Sequence, residues 1–180
     1  ALMAAFPAQA AAGPSYDTIR GVDRYKTAIQ LSQRGFAPGV EAVVVATGEN
    51  YPDALSAAPL AAAHGGPVLL TRSAALDEAT RAEIARLAPG RIYAVGLQAS
   101  VVADLRASFP EVEAAGGIIA LTGTDRYDTA RLVAEAVKAR LGAVTGAVLV
   151  PGSERLVSRV ESVVAQIRIC RIQVDQVRKR

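Results

Sequence analysis

The chain has 180 residues, 51% of them hydrophobic, with only 4% aromatic residues, no Trp and 21% charged residues. That composition excludes a disordered chain and calls for a core of Ala, Val, Leu and Ile, which suits a sheet closely covered by helices. The net charge of +3 comes from the end of the chain: residues 155–180 hold seven basic and two acidic side chains, which leaves residues 1–154 at −2, so the high pI implies no nucleic-acid partner for the folded part.

Single copies of Cys (Cys170) and His (His64) rule out a disulfide framework, a Cys-rich metal site and a His-dominated zinc site. No apolar run reaches the roughly 18 residues that a membrane span needs. Residues 1–13, ALMAAFPAQAAAG, read as the back half of a secretory signal peptide, with an Ala-rich disordered start as the other reading.

In chain order, the first element is a helix opened by Asp23, with Ala28, Ile29 and Leu31 on one side and Gly35 at its end. Ala42–Ala46 is a short continuous apolar run, as in a strand buried on both faces. Pro52 suits the first turn of a small-residue helix over Ala54–Ala63. A strand at Pro67–Thr71 and a helix at Leu76–Leu87 follow, the helix with Asp77 and Glu78 in its first turn and Arg86 near its end. Then come a strand at Arg91–Val95, a helix at Ser100–Phe109 and a strand at Ile118–Leu121. Alternating strands and helices predict an α/β fold: a three-layer parallel sheet with flanking helices, flavodoxin- or Rossmann-like.

The chain also repeats itself. IRGVDRYKTAIQLSQ (19–33) and LTGTDRYDTARLVAE (121–135) share the frame Gly-x-Asp-Arg-Tyr-x-Thr-Ala, with Asp23 and Asp125 lying 102 residues apart. VVATG (44–48) and VLVPG (148–152) match in the same order. Residues 16–117 therefore read as one full unit and residues 118–154 as a truncated second. The segment 155–180 fits neither. Leu156, Val160, Val163, Ile167, Cys170, Val174 and Val177 give it a heptad-like seam, while its β-branched residues fit a strand as well. A foreign segment without an evolved role is the third reading.

Catalytic patterns are missing from the sequence. No Gly-x-Gly-x-x-Gly or phosphate loop follows a strand, so no cofactor is expected, and His64 beside Gly65-Gly66 lacks a nucleophile elbow. His64 reads as a helix-end surface residue. The place for a ligand on such a sheet is the crevice at the carboxyl ends of the strands. Asn50 and Asp53 lie there as capping residues or ligand contacts, and two nearby carboxylates, Glu49 and Asp53, oppose a phosphate. Thr71-Arg72-Ser73 at the next strand end offers a guanidinium and two hydroxyls for an anion. A solvated turn arginine is the equal alternative. Arg24 and Arg126 read as braces of local structure or of a contact between repeats.

The strings GVDRYKTA, VVVATGENYPDALSAAPLAA, GGPVLLT and RIYAVG, in that order over about residues 19–154, resemble the cell wall-binding repeat 2 family of Gram-positive bacteria. The resemblance implies a secreted, non-catalytic protein held in the envelope by Rossmann-like repeats that pack together and bind an anionic cell-wall polymer. It also implies that the strand end Pro67-Val68-Leu69-Leu70 takes part in anchoring. The pattern stops after Gly152-Ser153-Glu154. Asp23, Arg24, Tyr25, Asp125, Arg126 and Tyr127 are then the structural motif of each copy, and other copies of the repeat are expected partners. An incomplete second unit predicts exposed apolar surface and self-association.

Overall fold

The computed structural model describes residues 18–144 and 146–147; residues 1–13, the second VLVPG string and the segment 155–180 lie outside the described residues. The elements run α1 (Arg24–Gly35), β1 (Ala42–Thr47), α2 (Tyr51–Ala63), β2 (Val68–Thr71), α3 (Glu78–Leu87), β3 (Arg91–Val95), α4 (Ala99–Ser108), α5 (Pro110–Ala114), β4 (Ile118–Leu121) and α6 (Arg126–Leu141). Several boundaries shift by one to three residues from expectation, the widest at α2, which opens at Tyr51 rather than Ala54, and one helix was not expected. Leu76 is buried in the loop ahead of α3, because Asp77 accepts the Ala79 N–H as the cap and so starts the helix at Glu78, two residues later. A short helix, α5, opens at Pro110, whose missing N–H is harmless in a first turn.

The strands pair in parallel in the order β2-β1-β3-β4. The step from β1 to β2 runs one way across the sheet, and the next two steps run the other way. Right-handed crossovers therefore put α2 on one face and α3 and α4 on the opposite face. Two cores result. Val43, Val45 and Leu69 pack with Ile84 and Leu87 of α3 and Val101 and Leu105 of α4. Val44 and Ala46 pack with Ala57, Leu60 and Ala61 of α2, and with Val133 and Val137 of α6. Each fully buried Leu or Val contributes about 1.5–3 kcal/mol relative to exposure. The opening strand and helix of the second copy, β4 and α6, thus belong to the same body as the first copy.

The shared motif is a device for starting a helix. Asp23 and Asp125 adopt the same extended backbone (φ −147°), and their carboxylates accept N–H groups of the first turn. Thr27 and Thr129 each accept the N–H of the glycine before the motif aspartate, Gly21 or Gly123, at 3.0 Å. A Cβ on Gly21 would lie 2.6 Å from the backbone of Lys26, so the frame requires glycine there. Each cap is worth about 1 kcal/mol.

Two buried polar networks tie the layers together. His64 ends α2, as expected, but it is only 3% exposed, which overturns its reading as a surface residue. Its ring nitrogens meet the Glu41 carboxylate at 2.8 Å and the Tyr93 hydroxyl at 3.1 Å, and Arg140 of α6 bonds the other Glu41 oxygen at 2.9 Å. Helix end, central strand and α6 are thereby joined at the amino-terminal side of the sheet. The expected apolar side of α1 also needs correction. Leu31 is 50% exposed, and the buried positions are Ile29 and Ser32.

Ser32 belongs to the second network. Its hydroxyl donates to Glu83 at 2.6 Å, and the Arg86 guanidinium grips both Glu83 oxygens at 2.7 and 2.8 Å. Arg86 also donates to the Phe36 carbonyl, which fixes the end of α1 to α3. Burial raises the Glu83 pKa, but the bonds from Arg86, Ser32 and Gln33 outweigh it, and the carboxyl titrates below its ordinary range. A carboxyl with a lowered folded pKa stabilises the fold above its unfolded value, and that contribution fades as pH falls through the folded value. Glu83→Ala is expected to cost about 2–3 kcal/mol at neutral pH, below the full penalty for a broken buried pair because Arg86 can reach water. Urea unfolding at pH 7 and at pH 3 measures it; the loss should shrink at the lower pH, and an equal loss at both would exclude the ionised bridge as its source.

Candidate functional site

The carboxyl ends of β1, β2 and β3 form one rim, and the strand order reverses between β1 and β3, where open sheets of this kind bind ligands. Three loops meet there. β1 leads into Gly48, β2 runs into Arg72-Ser73, and β3 turns at Gly96 with φ +63°.

The motif of α1 organises this rim. The Arg24 guanidinium donates to the Gly48 carbonyl at 2.6 Å. The Tyr25 ring lies so close to Gly48 that a Cβ there would be 2.6 Å from a ring carbon. On the same ring sits the guanidinium of Arg72, 5.5 Å from the centroid. At an exposed site that stacking contributes about 0.5–1 kcal/mol, enough to orient a side chain without immobilising it. Among the described residues, no hydrogen bond or ion pair engages the Arg72 guanidinium. Its N–H donors are open to a ligand.

The neighbours of Arg72 differ from their sequence reading. Thr71 is fully buried, and its hydroxyl is spent on the turn, donating to the Ala75 carbonyl and accepting the Asp77 N–H. It offers nothing to an anion. The Ser73 hydroxyl donates to the Glu49 carboxylate. Those bonds from Ser73, with the charge of Arg72 adding to them, hold the Glu49 carboxyl below its ordinary range. Leu69 is 0% exposed and Leu70 is half-buried against the α2 face. The resemblance placed both among the polymer contacts; the geometry makes Leu69 core, able to act only by fixing the edge strand.

Asn50 holds the cap position of α2, yet its side chain makes no capping bond. Asp53 does not cap either. It lies across the end of β3, touching the space where a Gly96 side chain would be, and its Oδ1 is buried without a hydrogen-bond partner among the described residues. Burial raises its pKa, and the charge of Arg126 opposes the rise. Arg126 of the second copy therefore acts on the first copy's α2, whereas Arg24 braces its own copy's loop. Tyr127, the counterpart of Tyr25, is 62% exposed; the glycine corresponding to Gly48 is Gly152, outside the described residues.

Sequence reasoning brought Arg72, Ser73, Asn50 and Asp53 to one rim but missed the Tyr25–Arg72 stack and the Ser73–Glu49 bond. Neither has a sequence spacing that announces it, since both join loops made adjacent only by strand pairing.

Residues 18–106 match the family described as Cell wall binding domain 2 (CWB2). The chain is 33% identical over 148 residues to N-acetylmuramoyl-L-alanine amidase LytC of Bacillus subtilis (strain 168), an alignment covering 82% of this chain and 28% of the amidase. It is 26% identical over 136 residues to the Amidase enhancer of the same organism, covering 76% of this chain and 18% of that protein. Among solved structures, Cwp6 from Clostridium difficile superposes with a TM-score of 0.60 at 27% identity, over 68% of this chain and 19% of Cwp6. Cwp8 from the same organism superposes at 0.53, also 27% identical, over 66% of this chain and 21% of Cwp8. The chain thus spans less than a third of each of these proteins. Through the unit at residues 18–106 it belongs to the cell wall binding domain 2 family.

Proposed function

We propose that the chain attaches a secreted protein non-covalently to a bacterial cell wall by binding an anionic wall polymer, without catalysis. The observation that carries this reading is the unpaired Arg72 guanidinium, laid on Tyr25 at the strand-end rim of a wall-binding unit. A guanidinium presents a planar fork of donors that fits phosphate and carboxylate oxygens. The names of the amidase, its enhancer and the two Cwp proteins accord with an envelope location. Leu70 and Ser73 then act as supports of the Arg72 loop, and Asn50 borders the same rim.

Glu49 works against the anion. Ionised at neutral pH and close enough to Arg72 to feel its charge, it partly neutralises the site. One such site is weak, and firm attachment requires several sites on one polymer, gaining through effective concentration.

A second reading, an interaction module that packs against other copies, has its own support. α6 seats Val133 against α2. Leu31 is the residue of α1 that corresponds to Val133 in the repeat, and it stands half exposed. The face with which the second copy covers the first is thus open on the first copy.

Co-sedimentation with wall sacculi, before and after acid removal of anionic polymers, separates these readings. Arg72→Ala should weaken binding to intact sacculi about tenfold, an effect of about 1.4 kcal/mol, and Glu49→Gln should strengthen it. Removal of residues 155–180 should leave it in place. Binding that survives stripping, or that is lost only with residues 155–180, would remove the polymer reading. For the interaction reading, light scattering should show concentration-dependent association that Leu31→Glu reverses; an unchanged monomer in both proteins would rule that surface out.

A further inference from the structure

We infer that the groove between α1 and α3 is a second polymer subsite, taking the hydroxyl-rich segment and the next anionic group of the chain whose first anion meets Arg72. The inference rests on the polymer-binding reading above and extends it to a surface that no comparison assigns.

The groove is open to solvent and has a volume of about 400 Å³. Lys26, Gln30 and Gln33 form one wall, from positions three to four apart on α1, and Ala79 and Ala82 form the facing wall on α3. From Lys26 to Gln33 the helix rises seven steps, about 10 Å. The floor is Ile29 and the buried Glu83, whose charge Arg86 neutralises with two hydrogen bonds. The bridge from Ser32 to Glu83 joins the two walls through their bases, so the groove is held open by a rigid network.

Its chemistry suits a hydroxylated chain. The Gln30 amide carries donors and an acceptor, the pairing that hydroxyl groups need, while Gln33 gives one N–H to Glu83 at 3.3 Å and keeps its second N–H and its carbonyl oxygen for a ligand. The Lys26 ammonium has no ion pair among the described residues. Ala79 and Ala82 leave room for a chain to lie flat.

The groove also starts at the right place. α3 begins just after the loop that carries Arg72, and α1 begins at Arg24, which bonds Gly48 at the strand-end rim. Lys26 follows Tyr25, the residue on which Arg72 stacks. A polymer crossing Arg72 therefore runs directly into the groove. A helix of a partner protein is the competing occupant, but an unpaired ammonium and two amides on one wall favour a polar, anionic chain over an apolar helix face.

The test uses the whole 180-residue chain and poly(glycerol phosphate) of graded length, followed by chemical-shift titration. Ala82→Trp fills the groove from an exposed position, and Lys26→Gln removes its charge. Both should keep the wild-type melting temperature. Each is expected to weaken binding of long chains about three- to tenfold while leaving a dimer of glycerol phosphate unaffected, and Arg72→Ala should weaken both lengths. Groove variants that bind long chains like the wild type, beside a defective Arg72→Ala, would overturn the groove and leave the strand-end reading intact. No binding of any length by the wild type would overturn both. A change in oligomeric state on Ala82→Trp, with polymer binding unchanged, would assign the groove to a protein partner instead and likewise overturn the inference.

Discussion

Everything in this fold depends on β1, six consecutive residues from Ala42 to Thr47 that are buried on both faces and paired on both edges. A strand with no solvent-facing side needs a helical layer above and another below. Because β2 and β3 flank it, the crossovers must leave on opposite faces, and the loops that follow must converge at its carboxyl end. The strand-end rim is thus a geometric result of burying β1. The small residues of α2, with Ala57 and Ala61 turned to the sheet, answer the same constraint: a sheet of valine and alanine is covered most closely by a helix of comparable slimness.

The layering was legible in the sequence because it is written in local pattern. Strands β3 and β4 were placed residue for residue, and α1, α3 and α6 began near their capping aspartates. What pattern could not supply was pairing between distant segments. Glu83 sits on the inward stripe of α3 among Thr80, Ile84 and Leu87, and a carboxylate there with an arginine three residues on was a signal of a buried bridge; its partner Ser32 is 51 residues away. His64 looked like a surface residue beside two glycines. Glu41 and Tyr93, which bury it, lie 23 and 29 residues away. Leu31 failed for a different reason: it was apolar and in phase, but the face it occupies is the one that α6 uses in the second copy.

That mismatch says how the repeat is built. Thr27 and Thr129 do the same work in the two copies, and the two caps share one geometry. Past the first turn the helices diverge. α1 turns Ile29 and Ser32 toward β2 and α3, whereas α6 turns Val133 and Val137 toward α2. At the position of Ile29, α6 has Arg131, held in the open by Asp128 and Glu135. The motif helix accordingly has two usable faces, one for its own copy and one for the copy before it, and each helix here has filled one of them.

Under the proposed polymer reading, a single unit built this way suits additive binding better than tight binding. Arg72, the cation proposed to meet the anion, is a single guanidinium that shares its surroundings with Glu49, and exposed charge pairs of this kind are worth at most about 1 kcal/mol. Burying the cation more deeply would strengthen each contact but would impose a desolvation cost on every encounter. A polymer repeats its anion at regular spacing, so affinity accumulates by number, and weak contacts allow a bound chain to slide and re-engage. The rigid parts of the molecule fit that division of labour. The Glu83 and His64 networks tie the layers together, whereas Arg72 rests on Tyr25 by stacking alone among the described residues.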